Sequence, residues 1–138
     1  MKLVHGLVAD DIFDGRKLRM LTVVDGFTRE RLAIDVGQSL KREDVVNTLM
    51  RIAGERGCPK TIRTDNGSEF ISEVMDEWAY EHGVELDFSR PGKPTDNAKV
   101  GINGRLRQEC LNAHRFMSLA DAQEKIEAWR TASNESRP

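Results

Sequence analysis

Two Asp-Gly pairs, at residues 14–15 and 25–26, divide the first third of the chain into three strand-like runs. Asp-Gly favours the tight turns that join neighbouring strands of a hairpin. Residues 3–8 are a short apolar run, residues 18–24 are apolar and β-branched, and residues 31–36 alternate between apolar and polar side chains. The pattern predicts an antiparallel three-strand meander, with the second strand in its centre.

After residue 36 the apolar spacing changes from that of a strand to that of a helix. We expect a first helix over about 41–55, capped by Ser39 and ended by Gly57 and Pro59. The further predicted elements are a strand over 61–64, a helix that Gly83 ends, a strand over 85–89, a helical segment that begins near 97, and a last helix capped by Ser118. The predicted apolar stripes consist of Val45, Val46, Leu49, Met50, Ile52 and Ala53 in the first helix, Ile71, Val74, Met75, Trp78 and Ala79 in the second, Ile102, Leu106 and Cys110 in the third, and Leu119, Ala122, Ile126 and Trp129 in the last.

The order β-β-β-α-β-α-β-α-α predicts an α/β fold with a mixed sheet and helices on its faces. A chain of 138 residues suits one domain, residues 1–138. It contains no apolar run of about 18 residues, so we expect no membrane span. Its two cysteines, Cys58 and Cys110, lack the spacing of metal ligands, which predicts reduced thiols and a cytoplasmic protein. The three histidines share no spacing, and we expect them at surface or packing positions.

A net charge of −2 argues mildly against a free-standing nucleic-acid-binding domain. Residues 90–107 are nevertheless locally basic, with five Lys or Arg against the single acid Asp96. On composition alone this stretch is either a solvated face or a surface that binds an anionic polymer.

Asp65 is the strongest single candidate for chemistry, because it follows a predicted strand and opens the turn sequence Asp-Asn-Gly just before a helix. A carboxylate in that place projects from the edge of a sheet. The same residue types also serve as ordinary turn or helix-capping residues, so the local pattern leaves both interpretations open.

Several spaced motifs help to decide between a chemical and a structural role for Asp65. They are TDNGSEF, WAYEHGVELDFSRPGKPTDNA, NGRLRQECLN and the closing NESRP. Together they closely resemble the integrase-type catalytic core of IS3-family insertion-sequence transposases, from about Leu7 to Pro138. The resemblance implies a ribonuclease H-like fold with a mixed five-stranded sheet, and DNA transposition by strand transfer. It also implies two divalent ions, Mg²⁺ or Mn²⁺, held by an Asp-Asp-Glu triad for in-line phosphoryl displacement.

Residue by residue, Asp65 matches the second acid of that triad. Gly101 stands at the position of the glutamate, with 35 residues between it and Asp65. The stretch from Lys99 to Ile102 holds four residues where the family usually has five. Gly6 falls at the position of the first aspartate, and Leu3 replaces the usual tryptophan ahead of it.

Asp10 is an even number of residues from Gly6, so its side chain points to the same face of an extended strand. It lies about 13 Å further along that strand, however, whereas Mg–oxygen bonds are only about 2 Å long. Asp10 or Asp11 remains an alternative first ligand if the first strand is shorter than expected. Otherwise we expect the two to be solvated acids at the first hairpin, as Asp14 is, and Asp25 to stabilise the second turn.

Two functions remain open for this chain. One is a transposase core whose activity is impaired by Gly6 and Gly101, and the other is a catalytically inactive core that binds DNA or oligomerises. The resemblance implies transposon-end and target DNA as partners and a homodimer, without a membrane partner. Its candidate DNA-binding residues are Lys93, Lys99, Arg105 and Arg107. The family's N-terminal helix-turn-helix domain has no counterpart in these 138 residues.

Overall fold

The computed structural model describes residues 2–64, 73–88 and 103–135. Three strands open the chain: β1 (Lys2–Asp11), β2 (Lys17–Asp25) and β3 (Arg31–Gly37). β1 pairs antiparallel with β2, and β2 pairs antiparallel with β3, so the predicted meander is confirmed. Gly15 turns the first hairpin with a φ of 90°, a conformation that glycine adopts without steric cost.

Two short strands complete the sheet: β4 (Thr61–Thr64) and β5 (Glu85–Phe88). Both run parallel to β1, and the strand order is β3-β2-β1-β4-β5. β4 pairs with β1 only along residues 2–4, at the beginning of the longer strand. The sheet is therefore mixed and five-stranded, as expected from the sequence.

Helices flank the sheet: α1 (Arg42–Arg56), α2 (Glu73–Glu81), α3 (residues 103–111) and α4 (Leu119–Glu135). The second half of α3, Arg107–Leu111, has π-helical geometry. Among the described residues, no helix is both long and apolar enough to cross a bilayer.

The sheet has a separate apolar core on each face. α1 and α2 pack on one face, in a cluster that includes Leu3, Leu21, Val23, Leu49, Ile62, Met75 and Trp78. α3 and α4 pack on the other face, in a cluster that includes Val8, Ile12, Leu18, Met20, Leu106, Cys110, Phe116 and Ile126. Helices on both faces of a mixed sheet confirm the predicted architecture.

The prediction that Ser39 caps α1 is wrong. Lys41 is the capping residue, and its backbone N–H donates to Asp44 Oδ2 at 2.8 Å. Asp44 lies in the first turn, so its carboxylate satisfies an exposed amide and also complements the positive end of the helix. The predicted end is confirmed, since Gly57, with a φ of 87°, closes the helix.

β1 is longer than predicted, and this places Asp10 and Asp11 within the strand rather than in the turn. Pairing with β2 runs without a break as far as Asp11, which lies opposite Lys17. The buried side chain of Ile12 anchors the end of the strand in the core, so the turn is confined to the residues that follow.

Ile71 and Ile102 of the predicted apolar stripes lie outside the described residues. Among the stripe residues that the structure describes, two are exposed instead. Met50 in α1 and Val74 in α2 are half-exposed, whereas their neighbours Leu49 and Met75 are buried. Because consecutive helical positions differ by about 100°, only one of two adjacent apolar residues points directly at the sheet. Trp78 is buried as expected, and Trp129 is half-buried, with its indole N–H donating to Glu109 Oε1 at 3.1 Å.

Candidate functional site

Gly6 lies in the interior of β1, buried and directly opposite Thr22 of β2. Val8, two residues further along the strand, belongs to the core beneath α3 and α4. Since side chains two apart on a strand point to the same face, a side chain at position 6 would project toward α3 and α4.

The first described residue of α3 lies beside this pair. The hydroxyl of Thr22, a residue that is 1% exposed, donates to Asn103 Oδ1 at 3.0 Å, and it lies 3.4 Å from the carbonyl oxygen of Gly6. Asn103 is the first residue of α3 that the structure describes. The helix is therefore tied, through its first described residue, to the strand pair at the level of Gly6.

β4 also ends close to this point. Its register pairs Lys2 with Thr61, Leu3 with Ile62, and the next residues of the two strands with each other. The last residue of β4 is Thr64, which immediately precedes Asp65 in the sequence. The middle of β1, the end of β4 and the first described residue of α3 thus lie within a few residues of Gly6.

Four of the candidate site residues, Asp65, Lys93, Lys99 and Gly101, lie outside the described ranges. Within those ranges, no group of three or more His, Cys, Asp or Glu side chains has an arrangement that could hold a metal ion. Gly6 itself offers no ligand atom, since it has no side chain.

Asp10 lies four residues from Gly6 on an unbroken strand, which corresponds to about 13 Å. Its Oδ1 accepts a hydrogen bond from the backbone N–H of Asp11 at 2.9 Å. The two acids line a groove of about 360 Å³ at the far end of the hairpin, together with Lys17, Arg19 and Arg107. Asp10 could occupy the position of Gly6 only if β1 were shorter and followed a different course.

The two described candidates for DNA contact, Arg105 and Arg107, are both exposed on α3. Arg107 Nη2 donates to the carbonyl oxygen of Ala9 at 2.9 Å, which holds its guanidinium beside the groove. The structure therefore places two cations on the helix that contacts the Gly6–Thr22 pair through Asn103.

Asp25 stabilises the second turn, as predicted. Its Oδ1 accepts hydrogen bonds from the backbone N–H groups of Phe27 at 2.8 Å and Thr28 at 3.1 Å. Both cysteines are free thiols, as predicted, with Cys58 exposed and Cys110 buried. Burial raises the pKa of the Cys110 thiol, which disfavours the reactive thiolate.

Of the histidines, His82 and His114 are exposed, as expected. His82 stacks against Trp78 with ring centroids 5.0 Å apart, and its Nδ1 lies 2.8 Å from the Trp78 carbonyl oxygen. These contacts fit a packing role.

Sequence reasoning missed Thr22 as a site residue. Its signal was present, because the β2 face formed by residues 18, 20, 22 and 24 carries a single polar side chain. A hydroxyl in such a run requires a hydrogen-bond partner once it is buried. The partner, Asn103, lies 81 residues away, and only the three-dimensional structure reveals it.

The comparisons with known proteins agree with this geometry. The integrase core domain family matches residues 4–94, and a second integrase core domain family matches residues 82–138. The uncharacterized 31.7 kDa protein of insertion element IS407 from Burkholderia multivorans is 47% identical to this chain over 132 residues. The uncharacterized 39.2 kDa protein of insertion element IS476 from Xanthomonas euvesicatoria is 44% identical over the same length. Each alignment covers 95% of this chain, but only 48% and 38% of the two relatives, so the chain spans less than half of their length.

Solved structures share the fold at low sequence identity. The catalytic core domain of BIV integrase superimposes with a TM-score of 0.71 at 13% identity, over 99% of this chain and 85% of that one. The magnesium complex of the HTLV-2 integrase catalytic core domain, in its dimeric form, superimposes with a TM-score of 0.64 at 17% identity, over 93% and 82%.

These similarities confirm the ribonuclease H-like fold and the resemblance to insertion-sequence transposases. The family match covers most of the chain, and the insertion-element relatives align with nearly all of it. The chain belongs to the integrase core domain family, and it is similar to insertion-element proteins along nearly its whole length.

Proposed function

We propose that this core is impaired in metal-dependent DNA strand transfer, because Gly6 and Gly101 stand where two of three acidic metal ligands are expected. The observation that carries the proposal is the position of Gly6. It is buried in the interior of β1, near the end of β4 and the first described residue of α3. A carboxylate at that position would lie where the three elements meet.

The strand register supports the assignment of Gly6. Each paired residue of β4 has a number 59 higher than its partner in β1, as with Lys2 and Thr61. The same offset relates Gly6 to Asp65. β4 therefore runs alongside β1 toward the level of Gly6, and Asp65 follows the last residue of β4 in the sequence.

In this class of reaction, two divalent ions activate the attacking oxygen and stabilise the leaving oxygen of the phosphodiester. The side chains of this chain do not fit that requirement, since Asp65 alone remains of the three expected acids. Mg²⁺ binds weakly to a single carboxylate because it releases its water ligands reluctantly. We therefore assign no catalytic step to this chain.

Metal binding tests the proposal directly. We expect a calorimetric titration of the unaltered chain with Mn²⁺ to give no saturable binding below the millimolar range. The double variant Gly6→Asp/Gly101→Glu should bind Mn²⁺ at least about tenfold more tightly, because more carboxylates then share each ion. Adding Asp65→Asn to the double variant should abolish this gain. Tight binding by the unaltered chain that Asp65→Asn removes would contradict the proposal.

A strand-transfer and 3′-end nicking assay with Mg²⁺ or Mn²⁺ supplies the second test. We expect no turnover by the unaltered chain. Turnover that Asp65→Ala abolishes would show that other ligands complete the site, and the impaired function would then be wrong.

The second candidate function is a catalytically inactive core that binds DNA or self-associates, and so competes with intact transposase. The exposed pair Arg105 and Arg107 favours this function, since both cations lie on the helix that adjoins the Gly6–Thr22 pair. DNA binding without turnover, together with a homodimer in solution, is its expected signature. Under both functions the partner is DNA and the compartment is the bacterial cytoplasm.

A further inference from the structure

We propose that Thr22 and Asn103 form a polar clasp that positions α3 against β1 at the level of Gly6. The inference rests on the proposed function for its metal-binding consequence, whereas the clasp itself is a property of the unaltered chain. Both are positioning residues in this proposal, since neither is placed among the metal ligands.

The first argument is the burial of Thr22. It is 1% exposed, on a strand face whose other members, Leu18, Met20 and Val24, are apolar. A valine has nearly the same shape and would pack there without any need for a partner. Retaining a hydroxyl in this environment is unfavourable unless it is hydrogen-bonded, and Asn103 Oδ1 supplies an acceptor at 3.0 Å.

The second argument is the small number of polar contacts between α3 and the sheet. In the described part of the chain, two side-chain hydrogen bonds join α3 to the β1–β2 hairpin. One is the Thr22–Asn103 bond at the first described residue of the helix, and the other joins Arg107 to the carbonyl of Ala9. Beside the apolar packing of Leu106, Cys110 and Leu111, these two polar contacts tie the helix to the hairpin, and only the first lies beside Gly6.

The third argument is register. Thr22 lies directly opposite Gly6, and opposed residues of antiparallel strands have Cβ atoms about 4.5–5.5 Å apart. An aspartate at position 6 would therefore have the Thr22 hydroxyl as its immediate cross-strand neighbour. A group that hydrogen-bonds to a metal ligand without touching the metal typically contributes about 10- to 100-fold to metal affinity.

Hydrogen exchange in the unaltered chain tests the clasp without any metal. We expect Thr22→Val to accelerate amide exchange in α3 at least about tenfold while α4 exchanges at its original rate, and Thr22→Ser to retain slow exchange. Thr48→Val is the matched control, because Thr48 is also a buried threonine, but its hydroxyl bonds Asp35 and the carbonyl of Asp44 in α1. An unchanged α3 rate in Thr22→Val, or an equal acceleration in the Thr48→Val control, would overturn the clasp.

Metal affinity tests the consequence in the Gly6→Asp/Gly101→Glu background. Thr22→Val should weaken Mn²⁺ binding about tenfold or more, and Thr22→Ser should restore it. Equal Mn²⁺ affinities with and without Thr22→Val would contradict the positioning role. If the double variant binds no Mn²⁺, the proposed function fails, and the exchange rates of α3 then decide the clasp alone.

Discussion

At the scale of single residues, the sequence predicted best where a side chain acts on its own backbone neighbours. Asp25 was expected to stabilise a turn, and it does so through two local amides. Ser118 was expected to cap α4, and its Oγ accepts from the N–H of Asp121 at 3.0 Å. Thr22 escaped prediction because its partner is distant in sequence, and spacing carries no information about such contacts.

Replacing Asp25 with alanine should lower the free energy of unfolding by about 1–3 kcal/mol, because two turn amides lose their acceptor. Chemical denaturation measures the change. Asp14→Ala is the control. Asp14 forms an exposed ion pair with Arg16, so this substitution should lower the free energy of unfolding by less. Equal effects of the two substitutions would contradict the role of Asp25.

Asp121 should make stability depend on acid pH. The backbone N–H of Met117, followed by the Lys125 ammonium, lowers the pKa of Asp121 below its ordinary value of 3.8. A carboxylate with a lowered folded pKa stabilises the protein above its unfolded pKa, and this contribution is lost as the pH falls through the folded pKa. We expect the Tm difference between the unaltered chain and Asp121→Asn to be constant near neutrality and to close below about pH 4. If the Tm difference between the two proteins grows as the pH falls, the pKa of Asp121 does not stabilise the fold in this way.

At the scale of elements, the spacing of apolar residues and the positions of turn residues predicted every described strand and helix. The errors concern bounds and caps, which depend on tertiary contacts. β1 extends to Asp11 because Ile12 is anchored in the core, and Lys41 replaces Ser39 as the cap because Asp44 faces it from the first turn. The pairing of α4 with the edge strand β3 left no trace in the sequence pattern.

Side chains of α4 cover backbone groups of β3, which lies at one edge of the sheet. Asn134 accepts from the N–H of Arg31 at 2.8 Å and donates to its carbonyl at 3.0 Å, as a neighbouring strand would. Gln123 donates to the carbonyl of Val36 at 3.0 Å. Exposed strand edges invite pairing with another chain, so this covering opposes such association.

Asn134→Ala should therefore destabilise the protein by about 1–2 kcal/mol and increase self-association at high concentration. Denaturation measures the first effect and sedimentation the second. Glu124→Ala, at an exposed position of the same helix, is the control and should change neither. If Asn134→Ala stays monomeric and is as stable as the unaltered chain, Asn134 does not protect the β3 edge of the sheet.

At the scale of the whole molecule, a net charge of −2 requires that any DNA-binding surface be local. The double variant Arg105→Gln/Arg107→Gln should weaken DNA binding and reduce the slope of log affinity against log salt by about 1–2, since each phosphate contact releases counterions. Arg29→Gln is the control, because Arg29 is exposed at the β2–β3 turn, near the beginning of β1. Binding that does not respond to salt, or an equal loss in the control, would exclude Arg105 and Arg107 as the DNA surface.

The two hydrophobic clusters on opposite faces of the sheet pack the described helices against it, and Gly6 contributes no side chain to either cluster. In evolutionary terms, glycine at position 6 removes no apolar contact from either cluster. We expect copies of this chain that carry it to accumulate in cells as folded protein.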